Sequence, residues 1–118
     1  MDNPDAPTAA TTAGEDDGRA ETVARRIAAI VGLEPQPPAA FQARGRVGRR
    51  SVAVQVVGGT VVVAAGRWRW AEVHHVRARI RWTSDGVVVI TWDRGARDRL
   101  VPDCLRGAIY AAVGFGGG

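Results

Sequence analysis

The stretch "RARIRWTSDGVVVITWD", residues Arg77 to Asp93, alternates arginine with apolar or small residues, crosses a turn and enters a nearly unbroken apolar run. Loop length decides which side chains meet across it. A Ser84-Asp85-Gly86 loop, with Gly86 supplying a left-handed conformation, pairs Thr83 with Val87. Trp82 then faces Val88, Ile80 faces Ile90 and Ala78 faces Trp92, so one side of the pair is apolar. The other side sets Arg81 by Val89, Arg79 by Thr91 and Arg77 by Asp93, where opposite charges meet. A loop one residue shorter or longer would put arginines opposite Val88 and Ile90, so pairing and turn chemistry agree on the same hairpin.

Upstream, "SVAVQVVGGTVVVAA", Ser51 to Ala65, is a second hairpin: two β-branched runs joined by a Gly-Gly loop suited to a primed turn. It sets Val56 against Val61 and Val54 against Val63 on a valine face. Continuing that register puts Arg67 and Arg69 on the valine face and Trp68 and Trp70 on the other. A bulge at Gly66 would reverse this and return the tryptophans to the apolar face. Ala71 to His75 can form a helical turn between the two hairpins, with strict alternation resuming beyond Val76.

Helices flank the strands. Val23, Ile27, Ile30 and Val31 fall on one stripe, with Asp17 as N-cap, Arg25 and Arg26 turned away, and Gly32 followed by Pro35 as the stop. "EPQPPAA", Glu34 to Ala40, is a stiff extended connector because proline fixes its own φ and restricts its predecessor. Near the end, Leu105, Ala108, Ile109 and Ala112 form a second stripe, with Pro102 tolerable in a first turn. Residues 1–17 lack apolar periodicity and read as a disordered acidic tail, residues 18–115 as a single α+β domain, and residues 116–118 as a flexible end. The expected architecture is a four-stranded antiparallel β-meander with an N-terminal and a C-terminal helix packed on one face, a two-layer sandwich.

All 16 basic residues are arginine, a bias that matches a GC-rich bacterial coding sequence as well as a functional demand. The net charge of +4 conceals an uneven distribution, with the acids crowded into residues 1–21 and the remainder strongly basic. Such a body attracts polyanions at long range, and the acidic head could fold back upon it. No secretory signal is visible, since residues 1–21 are acidic and lack the apolar stretch a signal peptide needs; no apolar run is long enough to span a membrane, and the single Cys104 cannot form an internal disulfide. These features point to a cytoplasmic setting.

The basic face is the functional candidate. Arg69, Arg77, Arg79 and Arg81 share it, with Arg67 beside them, and a second run, Arg44, Arg46, Arg49 and Arg50, precedes the first long strand. Arginine's planar fork suits phosphate, but a platform for single strands also needs exposed aromatics, and the tryptophans face inward in this reading. His74 and His75 are adjacent on a strand, so they point apart and cannot jointly hold a metal. Cys104 lies beside Leu105 and reads as a small core residue. No nucleophile, base and oxyanion set is present, so the expectation is a non-enzymatic binding module for an acidic macromolecule, with nucleic acid one candidate, and without cofactor or metal.

"VAVQVVGGTVVVAAG" followed by "AEVHHVRARI" resembles the strand and helix of the bacterial alkaline-shock protein family, where a Glu-Val precedes a Val-Arg helix. The same stretch is similar to a BON domain, whose strand and glycine turn precede a helix starting Ala-Glu. Either resemblance implies a helix from about Ala71 and a stress-associated or envelope-associated scaffold able to assemble as a homo-oligomer.

Overall fold

In a computed structural model, residues 5–36, 41–69 and 72–114 are described, with side chains at 18–36, 41–67 and 75–114. The elements run in the order α1 (Asp5–Val31), β1 (Glu34–Pro35), β2 (Gln42–Val47), β3 (Arg50–Val57), β4 (Thr60–Arg69), β5 (Glu72–Trp82), β6 (Val88–Trp92) and α2 (Asp103–Ala112). The strands form one antiparallel sheet in sequence order.

Both hairpins adopt the register their loops dictate. Gly58 and Gly59 take φ of 55° and 79°, the left-handed pair of a type I′ turn, and close Val57 against Thr60. Val56 pairs with Val61 and Val54 with Val63. At the other turn Gly86 has φ 84°, Thr83 N donates to Val87 O at 2.9 Å, and Ala78, Ile80 and Trp82 pair with Trp92, Ile90 and Val88. One parity of the sheet is therefore apolar across its centre: Val52 and Val54 on β3, Val61, Val63 and Ala65 on β4, and Val76, Ala78 and Ile80 on β5 are all buried.

The sheet has six strands, not four. Gly48, at φ 62°, turns the chain between Val47 and Arg50, so "QARGRV" becomes β2 on the outer side of β3. Its inward residues Ala43, Gly45 and Val47 are small, which is why the segment carries little hydrophobic signal of its own. Beyond it, Glu34 and Pro35 add β1 as a short terminal strand, where a proline is tolerated because half of an edge strand's amides need no partner. The helical turn expected at Ala71 to His75 is absent: β5 is extended from Glu72, and Trp70 and Ala71 lie outside the described residues.

No bulge forms at Gly66. The pairing of β4 with β5 is uninterrupted from Val61–Ile80 to Arg69–Glu72, and Ser51 pairs with Gly66 in step with the rest of β3. Arg67 therefore keeps the parity of Val61, Val63 and Ala65, and it stays exposed because the chain there has passed the end of the core. The side chain of Trp68 lies outside the described residues.

Helix α1 begins at Asp5, well inside the segment expected to be a disordered tail, and Asp17 lies within it instead of capping it. Residues 1–4 and 115–118, and with them the flexible end, lie outside the described residues. Alanine at positions 6, 9, 10 and 13 favours helix, and Pro7 sits in the first turn, where its missing amide has no helical partner to lose. The buried stripe of α1 is Ala20, Val23, Ala24, Ile27 and Ala28, with Val31 partly buried, while Ile30 is 55% exposed. Three alanines let the helix axis approach the sheet closely, and α1 lies across β2, β3, β4 and β5. At its end Gly32 takes φ 79° and the Leu33 amide folds back to the Ala28 carbonyl at 2.8 Å, delivering Leu33 into the core.

Helix α2 packs against α1 through Leu105, Ala108, Ile109 and Ala112, the stripe read from the sequence. Arg26 Nη1 donates to the Ala112 carbonyl at 3.2 Å, placing a cation at the negative end of α2. Arg25 pairs with Glu21 and lies over the Phe41 ring, 4.8 Å from its centroid. Cys104 is exposed, contrary to its expected core position, because it projects roughly 100° around the helix from Leu105. Among the described residues no polar or charged side chain is buried, and no helix is long and apolar enough to cross a membrane.

The split between Ile27 and Ile30 is directly measurable. Ile27→Ala should destabilise the protein by about 2 to 5 kcal/mol in urea denaturation because it opens a cavity between α1 and the sheet. Ile30→Ala should change stability by no more than about 0.5 kcal/mol.

Candidate polyanion-binding face

The side of the sheet opposite the helices is built row by row from the strand register. Arg44 pairs with Ala53, Ala53 with Ala64, and Ala64 with Arg77, so one straight row crosses four strands with arginine at each end and alanine between. The next row runs Arg46, Ser51, Gly66, His75, and the preceding one Gln42, Gln55, Val62, Arg79. In the first two rows short side chains on β3 and β4 form a floor, which gives way to Gln55 and Val62 in the third, and longer cationic or polar side chains on β2 and β5 form its walls. Arg44 and Arg77 stand three strand spacings apart, roughly 14 Å between backbones.

This floor and its walls enclose a cavity of about 480 Å³ whose lining includes Arg44, Ser51, Ala53, Ala64, His75 and Arg77. A smaller hollow of about 160 Å³ continues along the strands past Gln42, Gln55 and Val62, again between Arg44 and Arg77. The two make one trough, running along β3 and β4.

Among the described residues no ion pair forms on the trough. Asp93, expected to neutralise Arg77, is used differently: its Oδ1 accepts from the Arg77 backbone N at 2.9 Å, while its own amide donates to the Arg77 carbonyl at 3.0 Å. The Arg77 side chain is exposed and has no ion-pair partner among the described residues. Among the described residues the ion pairs are Arg25–Glu21, Arg94–Asp98 and Arg106–Asp103, none of them on this face. Arg44, Arg46, Arg77, Arg79 and Arg81 are all exposed.

Of the residues singled out from sequence, Arg77, Arg79 and Arg81 line the outer wall on β5. Arg69 ends β4 opposite Glu72, and its side chain lies outside the described residues. Arg49 sits exposed in the turn between β2 and β3. Arg50 belongs to the other face: it shares the parity of Val52 and Val54 and donates from Nη2 to the Arg99 carbonyl at 3.2 Å. What the hairpins alone could not supply is the second wall. Arg44 and Arg46 join the face only because β2 pairs with β3, and their spacing two apart was the sole local signal.

Among the tryptophans whose side chains are described, none stands on the open face; Trp68 has the backbone parity of Ala64 and Gly66, and its side chain lies outside the described residues. Trp82 and Trp92 are partly buried on the helix side, and Arg19 lies over the Trp82 ring, 5.7 Å from its centroid. His75 stands on the open face beside Gly66, and the side chain of His74 lies outside the described residues. Among the described residues no three His, Cys, Asp or Glu side chains gather as a metal site would require.

No protein-family model, curated protein or solved structure matches the chain. The resemblances to the alkaline-shock family and to BON domains imply a helix from about Ala71, where β5 is a strand from Glu72 to Trp82.

Asp93 offers a check on this description of the wall. Asp93→Ala removes an acceptor from the Arg77 amide and should cost about 0.5 to 1.5 kcal/mol in thermal or chemical denaturation. Asp93→Asn keeps an oxygen in that place and should recover most of the loss, whereas a side-chain ion pair with Arg77 would make the two substitutions equally costly.

Proposed function

We propose that the protein is a non-enzymatic binding module that holds the phosphate backbone of an extended nucleic-acid strand in the trough of its open sheet face. The row Arg44–Ala53–Ala64–Arg77 carries this reading: two guanidinium groups without an ion-pair partner among the described residues flank a floor low enough for a chain to lie between them. Arginine can grip each phosphate with two parallel hydrogen bonds.

The small floor also argues for charge over hydrophobic contact as the source of affinity. Alanine, serine and glycine bury little apolar area, on a scale of about 25 cal/mol per Å². An acidic amphipathic helix would find few anchors there. On the described side chains of this face, which are cationic, polar or aliphatic, recognition would be of backbone charge, nearly independent of base sequence and strongly salt-dependent.

A second reading, self-assembly as a scaffold, has its own support. β6 is the last strand of the sheet, and its residues "VVITW" are half-exposed except Thr91. Among the described residues nothing pairs with its outer edge, and an apolar edge is a template for a further strand. Light scattering at increasing concentration would show a dimer if two such edges join, and Val89→Lys should then restore the monomer.

For the trough, Arg44→Gln with Arg77→Gln should weaken binding to unrelated single-stranded oligonucleotides alike. The dependence of log K on log salt should flatten by roughly 1.4, at about 0.7 for each phosphate no longer neutralised by an arginine. Ala64→Glu should abolish binding at moderate salt by placing a carboxylate on the floor, with the fold retained at this half-exposed site. Absence of oligonucleotide binding by the unmodified protein at low salt would end the reading. Tighter binding of polyglutamate than of an oligonucleotide of equal charge would replace it with an acidic protein partner.

A further inference from the structure

Arginines gather a second time where β3 begins and β4 passes out of the core. Arg50 from β3, Arg67 from β4, and Arg94 and Arg99 from the segment between β6 and α2 line a cavity of about 320 Å³ together with Asp98 and Leu100. That volume is at the small end of ligand pockets. Among the described lining residues four guanidinium groups meet one carboxylate, that of Asp98, a sum of about +3 over those residues.

Asp98 is also fully engaged. Its Oδ2 forms an ion pair with Arg94, 3.3 Å from Nε, and its Oδ1 accepts from the Leu100 amide at 2.9 Å, so it fixes the segment as well as orienting Arg94. The Asp98 and Val101 amides bond back to the Gly95 and Asp98 carbonyls, holding the 95–101 turn in shape. Arg50 is held by the Arg99 carbonyl at 3.2 Å, and Arg94 Nη1 reaches the His75 carbonyl at 3.5 Å. Two of the cations are thus pre-positioned, and Arg67 and Arg99 have no anionic partner among the described residues. Like charges brought together from separate segments repel unless an anion shared between them offsets the repulsion.

We propose that this cavity is a binding site for a terminal phosphoryl group, a doubly charged phosphate gripped by Arg67 and Arg99 with Arg50 and Arg94 as fixed donors. Arg67 contributes to the lining of both this cavity and the trough, although its strand parity, like that of Arg50, is the helix-side one. A phosphate carries three acceptor oxygens and about two negative charges above its second pKa near 6, which matches several convergent arginines better than a phosphodiester does. The site itself stands on its own residues, and only its link to a strand end rests on the trough reading.

The test uses the full chain, the double variant Arg67→Gln with Arg99→Gln, and the trough variant Arg44→Gln with Arg77→Gln. Inorganic pyrophosphate, titrated calorimetrically at low salt, should bind the unmodified protein and the trough variant alike, and bind the Arg67/Arg99 variant at least about tenfold more weakly. Circular dichroism establishes that each variant is folded. Oligonucleotides of one sequence, with a 5′-phosphate, a 3′-phosphate or hydroxyl ends, then identify the source of the group. Preference for one phosphorylated end, lost in the Arg67/Arg99 variant, assigns the site to a strand terminus. Equal binding of all three with pyrophosphate binding intact assigns it to a free phosphate compound. Failure of the trough reading would show separately, as unchanged strand affinity in the Arg44/Arg77 variant. The proposal is overturned if the folded Arg67/Arg99 variant binds pyrophosphate as the unmodified protein does, or if neither pyrophosphate nor a phosphorylated end is preferred.

Discussion

An unbroken register through β4 is the constraint on which the rest depends. β4 pairs along most of its length with β3 and along nearly all of it with β5, and a one-residue slip anywhere in it would exchange its two faces. With the register intact, Val61, Val63 and Ala65 point under α1, and Val62, Ala64 and Gly66 lie on the open side. The same parity, carried by pairing into β2, β3 and β5, aligns the arginine walls with the small-residue floor. The core and the trough are therefore two consequences of one ladder, and neither can be shifted without the other.

Packing of the helix layer explains why the charges collect where they do. α1 covers β2 to β5 through a stripe made largely of alanine, and α2 leans on α1, so the apolar parity is shielded on one side only. No charged side chain among the described residues is buried, although the Arg26 and Arg106 guanidinium groups are part-buried and bonded to backbone carbonyls. Placing this many like charges on an open face and at one end of the sheet costs repulsion, offset in solution by hydration and salt and, on the proposed reading, by phosphate. Few acids stand near enough to do so: Asp93 is bound to backbone and Asp98 to Arg94 and its own turn.

Edges and ends carry the differences between the two basic regions. The trough is formed by regular strands, whose spacing and parity fix it with little help from loops, and so it suits a repeating ligand. The cavity at the sheet's end depends on the 95–101 turn, where hydrogen bonds within the segment set the positions of Arg94 and Arg99. A site of that kind can discriminate a small group, because its donors approach from several directions.

Where turn chemistry and local periodicity acted alone, the sequence determined the outcome. Gly58-Gly59 and Ser84-Asp85-Gly86 set two hairpins in register residue by residue, and Leu105, Ala108, Ile109 and Ala112 defined the face of α2, since neighbours a few positions apart settle both. Tertiary structure decided the rest. Whether Ile27 or Ile30 was buried depended on how α1 lay across the sheet, since both fit a helical stripe. Gly66 could have bulged as far as local conformation is concerned, and pairing with both neighbours kept it in line. β2, with small inward residues, has too little apolar contrast to be recognised by itself, yet its pairing with β3 supplies Arg44 and Arg46. The second arginine cluster draws on residues far apart in the chain, such as Arg50 and Arg99, 49 positions distant, and such a convergence exists only once the chain has folded.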